Sequence, residues 1–205
     1  ISKLTMEGRM TICNMSIEAG ARGGMIAPDE KTINYLEGRP MAPQGKQWEL
    51  AKHYWKTLTS DHDALYNKET TIDVSLVAPQ ITWGTSPQQV IGVDELIPNP
   101  SDIKDPLARS TMYRALEYMG LKAGMKLADI EIQHVFLGSC TNGRIEDIRI
   151  AAKLIEGHQV KQGVRAMVVP GSGPIKRQAE KEGLHDIFLK AGFEWREPGC
   201  SMCLG

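Results

Sequence analysis

Short apolar runs alternate with stretches of helical spacing through the last third of the chain. Residues 130–137 end in Val135-Phe136-Leu137, which reads as a strand buried in a parallel sheet. Ile145, Ile148, Ala151, Ala152 and Ile155 then recur at helical spacing. Thr141 or Asn142 can cap that helix, and Glu146 and Asp147 suit its positive end. A second apolar run at 165–169 leads into Gly171-Ser172-Gly173-Pro174, a turn with proline at the start of another helix. Two short helices follow, 175–182 and 184–191, closed by Gly183 and Gly192. Strand, crossover helix and strand in this order predict an α/β fold built on a parallel sheet. Ligand sites of such sheets gather at the carboxyl ends of the strands.

The first two thirds are less regular. Residues 11–21 predict a short strand or turn running into a helix capped by Asn14, with Glu18 one turn later on the same face. On spacing alone this is a plain capped helix with Glu18 in solvent. Residues 23–26 read as a strand of small residues, 29–37 as a helix stopped by Gly38, and Pro40 and Pro43 as a loop. Residues 46–58 are amphipathic, with Trp48, Ala51, Trp55 and Leu58 along one packing face and His53 and His62 at the surface. Alternation at 71–76 predicts a half-buried strand, and 79–87 a strand with a Gly/Pro turn. Residues 98–102 form the best linker, ahead of a helix at 107–120 that buries Met112, Ala115, Leu116 and Met119. The expected organisation is a lobe at 1–98, a linker at 99–106 and a second lobe at 107–205.

Composition narrows the function classes. Lysine and arginine number 24 against 25 acidic residues in 205, a formal charge of −1. No basic stripe points to nucleic acid, and no apolar run is long enough to span a bilayer. Four cysteines in this length do not make a disulfide scaffold. A Cys-x-x-Cys pair suits metal or redox chemistry in a reducing compartment, so the cytoplasm is expected.

Three cysteines carry the chemistry: Cys140, in a glycine-flanked turn after a strand, and the pair Cys200 and Cys203. A strand-to-helix turn favours the thiolate, which is the form that binds metal. Cys13 reads as a small packed residue outside this set. Three thiolates leave two metals in contention. Structural zinc closes its site with a fourth ligand, for which His134 and His185 qualify by count only. A [4Fe–4S] cluster held by three cysteines keeps one iron open to act as a Lewis acid. A thioredoxin-like redox pair would open a helix after the first strand of its fold, whereas this pair comes last.

Gly138-Ser139-Cys140-Thr141-Asn142, then Glu146-Asp147, then Gly199-Cys200-x-x-Cys203 resemble the iron–sulfur signature of the aconitase family. The likeness runs the length of the sequence and its motifs are specific. It implies a three-layer α/β/α fold and a hydro-lyase that moves water on a hydroxy-dicarboxylate substrate. Cys140, Cys200 and Cys203 would ligate one [4Fe–4S] cluster. The resemblance places Glu18 near the departing hydroxyl, with Asn14 and Asn142 orienting substrate or cluster sulfides. Arg144 agrees with the branch whose large chain works with a separate small subunit, expected to supply the proton-abstracting serine. Glu146 and Asp147 are read as helix-start structure. Family chains run further on both sides of Ile1 and Gly205, so catalytic groups are expected from both, and this stretch alone is expected to be inactive. Members with different substrates share the cysteine signature, and substrate choice stays open.

Overall fold

The computed structural model describes residues 1–199. Its helices and strands, in order, are α1 (Met6–Met15), α2 (Glu30–Leu36), α3 (Lys46–Lys56), β1 (Gln80–Thr82), β2 (Val90–Gly92), α4 (Pro106–Met119), β3 (His134–Gly138), α5 (Ile145–Ile155), β4 (Arg165–Val169), α6 (Gly173–Lys181), α7 (Leu184–Lys190) and β5 (Phe193–Trp195). Contacts divide them into two compact units. One comprises Ile1–Ala64 with the described part of Gln133–Gly205; the other is Leu65–Ile132. None of the helices is long and apolar enough to cross a membrane.

The first unit carries the parallel sheet, in strand order β3-β4-β5. β4 lies in the middle, and Ala166, Met167, Val168 and Val169 are all buried, so both its faces are covered. The apolar face of α5 (Ile145, Ile148, Ala151, Ala152) packs with Val168, Ala179 of α6 and Phe188 of α7 in one core. Phe188 meets Phe193 edge-on at 5.7 Å and stacks on Trp195 at 6.0 Å, which seats β5 against α7. This is the mixed α/β fold that the alternation of runs predicted. β5 itself had no expectation, because three residues with a glutamate between two aromatics are too short to show a period.

α1 and α2 are joined by charge. Arg9, only 3% exposed, donates from both guanidinium ends to Asp29 at 2.6 and 2.7 Å. Asp29 also caps α2 by accepting from the Thr32 amide at 3.1 Å. Hydrogen bonds from Arg9 hold this carboxyl well below the usual carboxylate range. α3 packs as its pattern predicts: Trp48 is buried and meets Trp55 edge-on at 5.5 Å, although Leu58 is 45% exposed.

The second unit is a β1–β2 antiparallel hairpin and α4 around Trp83, Ile91, Ile97, Ala115 and Leu116. Asp105 caps α4, and Gly120, in the left-handed conformation, ends it. The proline-rich stretch at 98–102 lies inside this unit. Pro100 is buried in a 3-10 turn, where Asn99 Oδ1 accepts from Ser101 N at 3.0 Å.

Three expected elements are absent. Residues 71–76 form no strand: Ile72, Val74 and Leu76 are exposed, and Asp73 caps a 3-10 turn by accepting from both the amide and the hydroxyl of Ser75. Alternation alone supplies no partner, and local side-chain bonding wins. Residues 23–26 form no strand and pair in no sheet of the described residues. No helix starts at Asn14; it lies in the last turn of α1, whose own cap is Thr5, accepting from Gly8 N at 3.2 Å. Gly20, Gly23 and Gly24 make the stretch beyond residue 15 a poor helix.

Acid should weaken the first unit in a defined direction. Asp29 is depressed in the folded state, so its contribution is full above the unfolded value near ~4 and is lost as pH falls through the folded one. Urea midpoints measured from pH 7 downward should fall below about pH 5. D29N should start with a lower midpoint at pH 7 and lose less of it in acid. Parallel curves for the two proteins would contradict the assignment.

Candidate active site

The site is built where β3 and β4 end side by side. Gly138 has φ +130°, and a Cβ there would lie 2.0 Å from the Val169 carbonyl oxygen, so only glycine fits. One turn on, Gly143 faces the Ser139 carbonyl, which a Cβ would meet at 2.5 Å. Gly171, in the loop after β4, donates its amide to Gly143 O at 2.8 Å. The two strand-to-helix loops are thereby laced backbone to backbone. Ser139, between them, takes φ +116°, a conformation that costs a non-glycine residue about 1–3 kcal/mol. Its hydroxyl accepts from Asn142 N at 3.3 Å.

Cys140 follows directly. It is a free thiol, exposed, with Thr141 Oγ1 at 3.9 Å from its sulfur. The cap of α5 is Arg144, not Thr141 or Asn142: its amide donates to Asp147 Oδ2 at 3.0 Å. Cys140 therefore sits in the loop ahead of the cap, not on the first turn of the helix. Asp147 holds the helix start, the role its position suggested. Arg144 is half-buried, and its Nε has no hydrogen-bond partner among the described residues.

Asn142 reaches across to the amino-terminal helix, donating from Nδ2 to Thr11 Oγ1 at 3.0 Å. Thr11 in turn donates to Glu7 O at 3.0 Å, so its hydroxyl is used in both directions. Asn14, three residues on, shares the face of α1 that Thr11 presents to the cysteine loop. Glu18 lies beyond the helix in the turn at 16–20; both residues are exposed. Cys13 is half-buried, crossed so closely by Gly24 that a Cβ there would meet its backbone oxygen at 2.5 Å. Thr11 is a residue that the sequence reading missed, since a threonine within a helix gives no sign of a partner more than a hundred positions away.

Cys200 and Cys203 lie outside the described residues, but the chain leading to them does not. β5 is parallel to β4, so it delivers the chain to the same edge of the sheet that Cys140 occupies. Arg196 N donates to Val168 O at 2.9 Å and carries the pairing one step past β5. Outer strands of a three-stranded sheet stand roughly 10 Å apart, and the five residues from Trp195 to Cys200 can span roughly 17 Å. Convergence on one cluster is within reach of the chain. His134, by contrast, opens β3 and so lies at the opposite edge, roughly 15–20 Å of strand and loop from Cys140. It cannot complete a zinc site there. No group of three candidate ligands occurs among the described residues.

A profile of the aconitase family (aconitate hydratase) matches residues 1–205, the whole sequence. The chain belongs to the aconitase family. Membership implies a hydro-lyase, and aconitase-family proteins typically bind a [4Fe–4S] cluster. The donor set fits that group, with a free exposed thiol on the carboxyl edge and the chain to two more arriving at that edge.

Asn142 and Thr11 should be coupled. T11V and N142A should each weaken folding by about 0.5–1.5 kcal/mol, and the double variant should cost less than the sum. Additive effects in urea titrations would show that the hydrogen bond does not link α1 to the loop. G138A should cost at least about 2 kcal/mol; a midpoint equal to wild type would contradict the close approach of Gly138 to Val169.

Proposed function

We propose that this aconitase-family chain is the large subunit of 3-isopropylmalate dehydratase, an iron–sulfur hydro-lyase of leucine biosynthesis working in the cytoplasm. The reaction removes hydroxide and a proton from adjacent carbons of 2-isopropylmalate, giving an alkene and water. It then returns water with hydroxyl and hydrogen exchanged between the two carbons, giving 3-isopropylmalate. The sequence Gly138-Ser139-Cys140-Thr141-Asn142-Gly143-Arg144-Ile145-Glu146-Asp147, with Glu197-Pro198-Gly199-Cys200-Ser201-Met202-Cys203, supports this branch. Arg144 stands where aconitase proper carries serine or threonine. The single observation that carries the reading is Cys140, free and exposed on the carboxyl edge, with the end of β5 aimed at the same edge.

Cys140, Cys200 and Cys203 would hold the cluster, whose open iron supplies Lewis acidity toward a hydroxyl and a carboxylate. Around it this chain's residues position the substrate and the departing hydroxyl. Glu18 positions or protonates the departing hydroxyl, protonation letting water leave instead of hydroxide. Asn14, on the face of α1 turned toward the cysteine loop, and Asn142 hydrogen-bond the substrate or the cluster's sulfides. The lacing of Gly138, Gly143 and Gly171 fixes where the Cys140 sulfur stands, and preorganisation of that kind is what an electrostatic site requires. A separate small subunit brings the serine that removes the proton, so turnover needs both chains.

After anaerobic reconstitution with iron and sulfide the protein should show a broad visible absorbance, which C140S and C200S abolish. The full-length chain with the small subunit added should turn over isopropylmalate well ahead of citrate. Preference for citrate or homocitrate would move the chain to another branch of the family. Stoichiometric zinc without colour would defeat the cluster reading. E18Q should keep the absorbance and lose about 10²–10⁴-fold in kcat; unchanged kcat would remove Glu18 from the chemistry.

A further inference from the structure

β5 hands the chain to the residues that carry the last two cysteines, and a set of side chains grips it there. Trp195 Nε1 donates to Glu180 Oε1 on α6 at 3.0 Å. Lys176, one turn earlier on α6, stands 3.7 Å from the same oxygen and hydrogen-bonds Glu197 Oε1. Lys176 is the enclosed member, 16% exposed at its side chain against 37% for Glu180 and 82% for Glu197. Beneath them, sheet pairing reaches Arg196 through Val168 O. Pro198 has no amide hydrogen to extend it. Among the described residues past Arg196, the tie on this segment runs through the ammonium of Lys176.

The position of α6 makes this tie informative. Ser172 caps α6, and its neighbour Gly171 is laced to Gly143 and Ser139 beside Cys140. One helix therefore touches both limbs: the Cys140 loop at its start, and the approach to Cys200 one turn later. We propose that Lys176 is a positioning residue for the limb that leads to the last two cysteines, holding Glu197 against α6 where the chain leaves β5. The proposal rests on the cluster reading given above. An ion pair with one highly exposed partner contributes little to global stability, so the consequence of losing it is local.

The test compares wild type, K176M, K176R and E197Q. In the cluster-free proteins, amide hydrogen exchange is followed at Arg196 and Glu197; in the reconstituted proteins, anaerobic bleaching of the visible absorbance by a chelator is followed. K176M and E197Q should exchange and bleach about three- to fivefold faster than wild type. K176R should match wild type, and all four urea midpoints should agree. Wild-type rates in K176M overturn the proposal. So does a K176R that behaves like K176M, or a urea midpoint that falls in step with the rates, since either makes Lys176 a packing residue. A wild type that takes up no iron and sulfide defeats the cluster reading instead, and the exchange arm still decides whether Lys176 holds the segment.

Discussion

Where β3 and β4 end, no side chain fits between their backbones. Gly138 lies against the Val169 carbonyl, while Gly143 and Gly171 close around Ser139. Everything proposed for the site depends on this close approach. It brings two strand-to-helix loops into direct contact and turns Ser139 into a conformation that a non-glycine residue resists. It also leaves the next residue, Cys140, exposed on the rim.

Around that edge the forces divide by kind. Non-directional burial of α5, α6 and α7 around Val168 and Phe188 supplies the bulk of the hold on the sheet. Polar contacts set position. Arg9 and Asp29 fix α1 to α2, and Asn142 and Thr11 fix α1 to the cysteine loop. The outlying ion pairs Arg149–Glu182 and Arg165–Glu194 are bidentate but partly exposed, and contribute far less. The amino-terminal helix is thus part of the site's frame although it contributes no residue to the sheet.

Legibility in the sequence followed the strength of local signals. The strand at 165–169 and the helix opened by Ile145 were plain, because a continuous apolar run and a full apolar face have few other solutions. Glycines closing α6 and α7 were equally readable. The strand expected at 71–76 failed because alternation says nothing about a partner, and the helix expected after Asn14 failed because its capping pattern ignored the glycines downstream. In the site, the type and turn setting of Cys140 were legible from its glycine neighbours. Its cap was not, since Arg144 serves through a backbone amide that any residue has. The bridge from Asn142 to Thr11 was out of reach, for it is a tertiary contact between two ordinary polar residues.

On the proposed reading Cys140, Cys200 and Cys203 share one cluster with an open metal corner, and parallel strands are the means of bringing such distant loops to one edge. The most direct test is proximity in the cluster-free protein. A C13S variant treated anaerobically with a short bifunctional thiol reagent, then mapped by peptide mass spectrometry, should yield Cys140 bridged to Cys200 or Cys203. Bridges confined to Cys200 and Cys203, with Cys140 modified only singly, would place the cysteines apart and contradict a shared cluster site.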